Sequence, residues 1–287
     1  MPELPEIETI KLGLRKYLIG HKIKNIEVKI PKMFSGNKQD IIGAKIIGLE
    51  RIGKGLIIKL NNDFVLAVHL KMTGQLVYTD SKTKNLSLSN KIGGLALPSK
   101  YSHVIFTLDN GAFLYYNDLR RFGWIKVVKK SEIMNMPFFK DMGPEPKVGK
   151  DLAGKELTLD YFKAVIQKGN SPVKLLLMDQ KRIGGIGNIY ANDALYKAGI
   201  DPRRKGRTLQ DTEVKRLYDS IFYVIKKSLE YGGSSDENFV NALGQEGNYQ
   251  DHFLIYGREG QKCPCGGIIR KIQLGGRGTY FCPKCQH

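Results

Sequence analysis

Residues able to do chemistry gather at the two ends of this 287-residue chain. At the carboxyl end stand its only cysteines, Cys263, Cys265, Cys282 and Cys285. Cys282-Pro283-Lys284-Cys285 has the two-residue gap that lets both thiolates face one ion. Sixteen residues separate Cys265 from Cys282, enough for a β-hairpin that returns one pair to the other. A disulfide framework would spread cysteines along the chain to staple distant loops. Two close pairs read instead as one structural zinc ion, Zn2+, holding a module whose core is too small to fold alone. The first pair is irregular, with only Pro264 between its thiols.

The amino end reads Met1-Pro2-Glu3-Leu4-Pro5-Glu6. Removal of Met1, which a small second residue permits, makes Pro2 a terminal secondary amine. Such an amine attacks an aldehyde-level carbon, for example C1′ of a deoxyribose, and yields a cationic iminium that serves as an electron sink for elimination. It is also less basic than a lysine (reference values ~8 against ~10.4), so more of it is neutral near pH 7. Glu3 and Glu6 stand beside it as candidates for general-acid and proton-shuttling work. The same residue types are also ordinary helix-entry chemistry, since proline and acids favour a first turn. Spacing alone leaves both readings open.

A third feature is Ile183-Gly184-Gly185-Ile186-Gly187-Asn188-Ile189-Tyr190. Glycines ahead of a helix expose its first N–H groups, which suits a phosphate. The preceding segment reads as helix rather than strand, so a dinucleotide-binding unit does not fit. A turn offering amides and Asn188 to a nucleic-acid phosphate stands against plain helix packing. Lys197, Arg203, Arg204, Lys205 and Arg207 follow closely.

The elements that must position these groups fall into three stretches. An amphipathic helix occupies the first ~20 residues, with Ile7, Ile10, Leu14, Tyr17 and Leu18 at helical spacing and Gly20 as its stop. Short apolar or alternating runs follow at 23–30, 44–49, 55–60, 64–70, 103–108 and 112–116, and Asp109-Asn110-Gly111 is a strong hairpin turn. Beyond 150 the period becomes helical, at 171–179, at 187–198 and in a long helix with Val214, Leu217, Tyr218, Ile221, Val224, Ile225 and Ser228 on one face. The fold class expected is α+β. Its divisions are an antiparallel β-sandwich with a leading helix (1–136), a linker (137–150), a helical domain (151–254) and a zinc-bearing hairpin (255–287).

Lys plus Arg number 46 against 28 Asp plus Glu, a formal charge of +18. With 41% apolar and 26% charged residues the chain can afford a core and is not disordered. No apolar stretch approaches the ~18–20 residues of a membrane helix, and the start is acidic where a signal peptide is basic. A cytoplasmic monomer is expected. Around the cysteines, Arg258, Lys262, Arg270, Lys271, Arg277 and Lys284 face a single Glu259, a bias that suits phosphate contact.

These features together resemble the formamidopyrimidine-DNA glycosylase family, along the whole chain. The likeness rests on Pro2-Glu3-Leu4-Pro5-Glu6, Arg51-Ile52-Gly53-Lys54, His69-Leu70-Lys71-Met72-Thr73-Gly74 and Asn117-Asp118-Leu119-Arg120-Arg121-Phe122-Gly123. Gly143-Pro144-Glu145-Pro146, Gly185 to Tyr190, Tyr256-Gly257-Arg258-Glu259-Gly260 and the cysteine hairpin complete it, in the family's order. The resemblance implies a helix–two-turns–helix DNA-binding domain within 151–254, and damaged double-stranded DNA as partner. It implies a bifunctional glycosylase and β,δ-lyase for oxidised purines, chiefly 8-oxoguanine and formamidopyrimidines. Pro2 would be the Schiff-base nucleophile and Glu3 the acid that opens the sugar. Lys54 would contact phosphate and donate a proton in the first elimination; Arg277 would grip the flanking phosphates and serve the second. Met72, Arg120 and Phe122 would fill the hole left by the everted nucleotide, and the stretch around 234–249 would cover its base. The chain departs from the family pattern in its one-residue first cysteine pair, in Tyr101 where the family has His, and in Asp193 where it has Glu. Endonuclease VIII-like glycosylases, which prefer oxidised pyrimidines, share the architecture; a non-catalytic zinc-bearing DNA-binding protein is the alternative outside enzymes.

Overall fold

A computed structural model describes residues 1–94, 96–149 and 153–287. It is mixed α+β, as expected. Helix α1 (Leu4–Leu18) leads strands β1 (Ile23–Val28), β2 (Phe34–Ser35), β3 (Ile46–Ile52), β4 (Gly55–Leu60), β5 (Phe64–His69), β6 (Gly74–Thr79), β7 (Ser102–Leu108), β8 (Phe113–Asp118) and β9 (Trp124–Lys129). Helices α2 (Pro137–Lys140), α3 (Leu159–Gln167), α4 (Val173–Met178), α5 (Asn188–Ala198) and α6 (Asp211–Glu230) follow, then the hairpin β10 (Arg270–Leu274) and β11 (Arg277–Phe281). Packing divides the chain into Met1–Lys140 with Leu229–Gln250, and Asp141–Ser228 with Asp251–His287.

In the first unit the strands form two sheets, ordered β1-β7-β8-β6 and β2-β9-β5-β4-β3. All neighbours are antiparallel except β2 and β9. The alternation along the strands decides which face turns inward: Val104, Phe106 and Leu108 of β7, Leu114 and Tyr116 of β8, and Leu66 and Val68 of β5 enter one core. Ile7, Ile10, Leu14 and Leu18 of α1 enter the same core. At ~1.5–3 kcal/mol per buried side chain, this burial, and not helix propensity, fixes α1 in place. At the 109–111 turn Gly111 takes φ +81°, and Leu108 N–H donates to the Ala112 carbonyl at 2.8 Å. Strands β2, β6 and β9 lie outside the runs the sequence marks. In β9 Lys126 and Lys129 interrupt the apolar residues, and in β6 Gly74 and Gln75 mask the start of the run.

Two assignments differ from a linear reading. Residues 137–140 are packed as α2: Phe139 is buried, and a Cβ on Gly55 would lie 2.6 Å from the Phe138 ring. Residues 229–250 pack with the first unit, because Phe239 and Ala242 join its core and Tyr78 N–H donates to the Ala242 carbonyl at 2.8 Å. The expected boundary at 150–151 lies outside the described residues.

In the second unit α6 buries Val214, Leu217, Ile221, Val224, Ile225 and Ser228 of the expected stripe, while Tyr218 is only half-buried and its hydroxyl donates to the Leu157 carbonyl at 2.9 Å. Tyr190 of α5 meets Ser228 at 2.5 Å between hydroxyls. Helix α5 stops at Gly199, φ +68°. Helix α3, absent from the sequence reading, starts on Thr158, whose hydroxyl accepts from Tyr161 N–H at 3.3 Å. Among the described residues no helix is long and apolar enough to cross a membrane.

Candidate active site and metal centre

The amino terminus is built into the first unit. Pro2 is buried, Glu3 caps α1 and is 2% exposed, and Glu6 is 1% exposed. Glu3 N–H donates to Glu6 Oε2 at 2.8 Å, the return half of a capping box. The other Glu6 oxygen accepts from Ser234 N–H at 2.9 Å, so one carboxylate joins the helix start to the 234–249 loop. Gly233 makes room for it: its φ is +86°, and a Cβ would lie 3.2 Å from Glu6 Oε1. The Met1 ammonium pairs with Glu237 at 2.7 Å. With Met1 in place the Pro2 nitrogen is an amide; its use as an amine requires that Met1 be removed.

Lys54 sits in the β3–β4 turn, 6% exposed, directly after Gly53 at φ +57°. A buried charge cluster fixes this turn to α1. Glu8 accepts from Lys11 at 2.8 Å and from Arg51 Nε at 2.9 Å, while Arg51 Nη1 donates to the Gly53 carbonyl at 2.9 Å. Glu8, Lys11 and Arg51 are each 3% exposed or less. The helix that follows Pro2 and Glu3 is thus tied to the turn bearing Lys54 by buried ionic and hydrogen-bonded contacts.

Met72, Arg120 and Phe122 come together at the surface. Arg120 Nη1 lies 3.0 Å from Met72 Sδ, and its guanidinium covers the Phe122 ring at 4.9 Å. Phe122 is 56% exposed, against the burial that ordinary core packing would give it. Asp118, fully buried at the end of β8, organises both loops: it accepts from Thr73 Oγ1, from Arg120 N–H at 3.2 Å and from Gly123 N–H at 2.8 Å. Below lies His69, whose Nδ1 accepts from Lys71 N–H at 2.8 Å and whose ring meets Phe138 edge-on at 4.6 Å. Burial first, then the charges of Lys71 and Lys54, push its pKa down to about 3, so the imidazole is neutral. The roles of Asp118 and His69 escaped the sequence reading, although both stand inside quoted motifs; no local signal says that one carboxylate will serve two loops.

In the second unit the structure brings Asn188 and the turn bearing Arg277 together. Asn188 opens α5 and its amide donates to the Gly278 carbonyl at 3.2 Å. Lys174, fully buried in α4, donates to the same carbonyl at 2.9 Å and to Thr279 Oγ1 at 2.7 Å. Gly275 and Gly276, both at positive φ, make the tight β10–β11 turn that leaves Arg277 exposed. The signal for Lys174 was a lysine inside the apolar run of α4. The expected basic cluster is partly consumed within the protein. Arg203 pairs with Asp201 at 2.6 Å and Arg204 with Glu213 at 2.6 Å, whereas Lys205 and Arg207 are exposed.

The four cysteine sulfurs all lie within 4.8 Å of one another, with Cys263–Cys285 at 3.7 Å and Cys265–Cys282 at 3.5 Å. Those separations are far above a disulfide bond of ~2.05 Å. They match the ~3.8 Å edge of a tetrahedron of sulfurs ~2.3 Å from zinc. The one-residue first pair closes through Gly266 at φ +81°, whose N–H donates to the Cys263 carbonyl at 2.8 Å. Gly267 must be small, because a Cβ there would stand 2.7 Å from Cys282 Sγ. The donor set fits a structural zinc. Asp193 connects this module to α5: its carboxylate accepts from the amides of Leu254, Ile255 and Tyr256 at 3.0–3.2 Å, so the shorter acid still reaches.

Family models match in the same order as the structure. Formamidopyrimidine-DNA glycosylase N-terminal domain covers residues 1–125, its H2TH domain 142–239, and a zinc finger found in FPG and IleRS 260–287. The formamidopyrimidine-DNA glycosylase of Pelotomaculum thermopropionicum is 39% identical over 100% of this chain and 99% of its own length. A solved Lactococcus lactis FPG mutant with a Fapy-dG containing DNA superposes with TM-score 0.85 at 32% identity, covering 100% of both chains. The wild-type Lactococcus lactis protein with an oxidized pyrimidine containing DNA gives TM-score 0.84 at 32% identity, again over 100% of both. This chain belongs to the formamidopyrimidine-DNA glycosylase family, DNA glycosylases with abasic-site lyase activity.

Proposed function

We propose that the chain, after loss of Met1, removes oxidised purines from duplex DNA and then cuts the abasic strand by β,δ-elimination. The Pro2 amine attacks C1′ of the damaged nucleotide and Glu3 protonates the sugar ring oxygen, so the ring opens and the base leaves. The resulting iminium at C1′ acidifies C2′; loss of that proton expels the 3′ phosphate, and a second elimination through C4′ expels the 5′ phosphate. Lys54 contacts phosphate and supplies a proton in the first elimination. Arg277 grips the flanking phosphates and serves the second, with Asn188 as a further phosphate contact. Glu6 holds the Glu3 backbone in place and shuttles protons. Met72, Arg120 and Phe122 fill the space left by the everted nucleotide, which offsets the few kcal/mol of unstacking. The 234–249 loop covers the everted base. Zinc held by Cys263, Cys265, Cys282 and Cys285 would cross-link the hairpin that presents Arg277.

The observation that carries this reading is the burial of Pro2 and Glu3 at the start of a helix anchored through Glu8 and Arg51 to the Lys54 turn. Borohydride reduction during reaction with a duplex carrying 8-oxoguanine opposite cytosine should cross-link protein to DNA. Chain prepared with Met1 retained should give no cross-link; an adduct that persists there refutes Pro2 as nucleophile. The solved relative with an oxidised pyrimidine keeps a second substrate class in view. Faster release of thymine glycol than of 8-oxoguanine would move the substrate assignment to pyrimidines. Absence of any adduct on any lesion would leave a DNA-binding protein without chemistry.

A further inference from the structure

The segment between β6 and β7 has no part in the chemistry above, yet its middle carries an apolar cluster of its own. Ile92, flanked by Leu88 and Leu97, packs with Val77 of β6 and with Val240 of the 234–249 loop; Ile92, Val77 and Val240 are fully buried. Gly244 fits against this cluster at φ +76°, where a Cβ would stand 2.7 Å from Leu88 Cδ2. Polar contacts bracket it. Ser89 N–H donates to the Gly244 carbonyl at 2.9 Å, and the Ser89 hydroxyl donates to Glu246 at 2.6 Å. The Lys91 ammonium pairs with the second Glu246 oxygen at 2.7 Å and donates to the Ser235 carbonyl. From below, the Gln75 amide donates to the carbonyls of Lys91 at 2.9 Å and Asn238 at 2.7 Å, so one buried side chain ties both segments to β6.

A loop rich in Gly and Asn loses much backbone entropy when it is ordered. Ordering it before the substrate arrives removes that cost from binding. We propose that residues 88–92, with Leu97, are a built-in clamp that pre-orders the 234–249 loop for an everted base, with Lys91 and Gln75 as positioning residues. The clamp acts on recognition of the base and leaves the sugar chemistry alone. This inference rests on the reading of that loop as the cover of the base.

Two duplexes of one sequence separate the effects, one with 8-oxoguanine and one with a preformed abasic site. Under single-turnover conditions Lys91→Ala and Glu246→Gln should each lower base excision at limiting enzyme by roughly tenfold while abasic cleavage stays within about twofold. Lys91→Arg, which keeps both donors, should restore excision. In the DNA-free protein, amide hydrogen exchange across residues 234–246 should speed up in Lys91→Ala and, through the apolar cluster, in Ile92→Ala. Unchanged exchange overturns the clamp, and so does an equal fall on both duplexes. If the wild type excises no base from the 8-oxoguanine duplex, the glycosylase reading fails on its own, and the exchange data still decide whether the clamp orders the loop.

Discussion

The Glu8 cluster offers a quantitative test of how the reactive helix is held. In Glu8→Gln the carboxylate that faces Lys11 and Arg51 becomes a neutral amide, and two cations 1% and 2% exposed lose the charge they share at Glu8. Removing one partner of such a buried pair costs about 3–5 kcal/mol, because the remaining charge stays desolvated. The chain's one tryptophan, Trp124, lies on β9 in the same unit and 5.7 Å from His69, so its fluorescence reports on that unit. With a urea dependence of about 2 kcal/mol per molar, the midpoint should fall by roughly 2 M. Salt should not reproduce the effect, since buried pairs are weakly screened. The combined variant Glu8→Leu, Lys11→Met, Arg51→Leu removes the charges together and should recover most of the stability. It should not recover Schiff-base trapping, because the hydrogen bond from Arg51 to the Gly53 carbonyl, which aims the Lys54 turn, is gone as well. A Glu8→Gln midpoint within about 0.5 M of wild type would refute the reasoning, as would a triple variant that traps DNA at the wild-type rate.

Three further perturbations probe separate parts of the molecule. His69 has its pKa pushed down to about 3 by burial and by two lysines. The unfolded chain takes up a proton below ~6.5 and the folded one does not, so this site should cost stability at up to ~1.4 kcal/mol per unit as the pH falls from 6.5 towards 3. Urea midpoints at pH 7, 6 and 5 should fall less steeply in His69→Gln than in wild type, and parallel curves would remove His69 as the cause. Gly267→Ala places a Cβ 2.7 Å from Cys282 Sγ; metal analysis should find less than one zinc per chain and DNA affinity should drop, whereas full zinc occupancy would show that the hairpin adapts. Asp118→Asn leaves an amide N–H₂ facing one of the donors from Thr73, Arg120 or Gly123. A cost of about 2–3 kcal/mol and slower lesion excision are expected in urea and cleavage assays, and wild-type excision would mean that the Arg120 and Phe122 loop does not depend on this carboxylate.

What could be read from the sequence was whatever is local. Two cysteine pairs across a hairpin, a proline and two glutamates at a chain start, and the apolar periods of α1, β4 and α6 each declare themselves within a few residues, and the structure places them as those periods require. What could not be read depends on partners far along the chain. Asp118 serves Thr73, 45 positions away; Lys174 supports Gly278, 104 positions away; residues 229–250 return to the unit of the amino terminus because Ala242 and Phe239 complete its core. The basic excess shows the same division. Arg203 and Arg204 are held by Asp201 and Glu213, so their place in the sequence beside Asn188 overstated their availability to phosphate. Each such pair removes one charge of each sign, however, and the total of +18 is untouched by it. The excess must then sit on other cations, and Lys205, Arg207 and Arg277, all exposed, are among those that remain able to meet DNA. Composition thus set the strength of the field that draws in a polyanion, and only the pairing pattern shows which side chains can grip it.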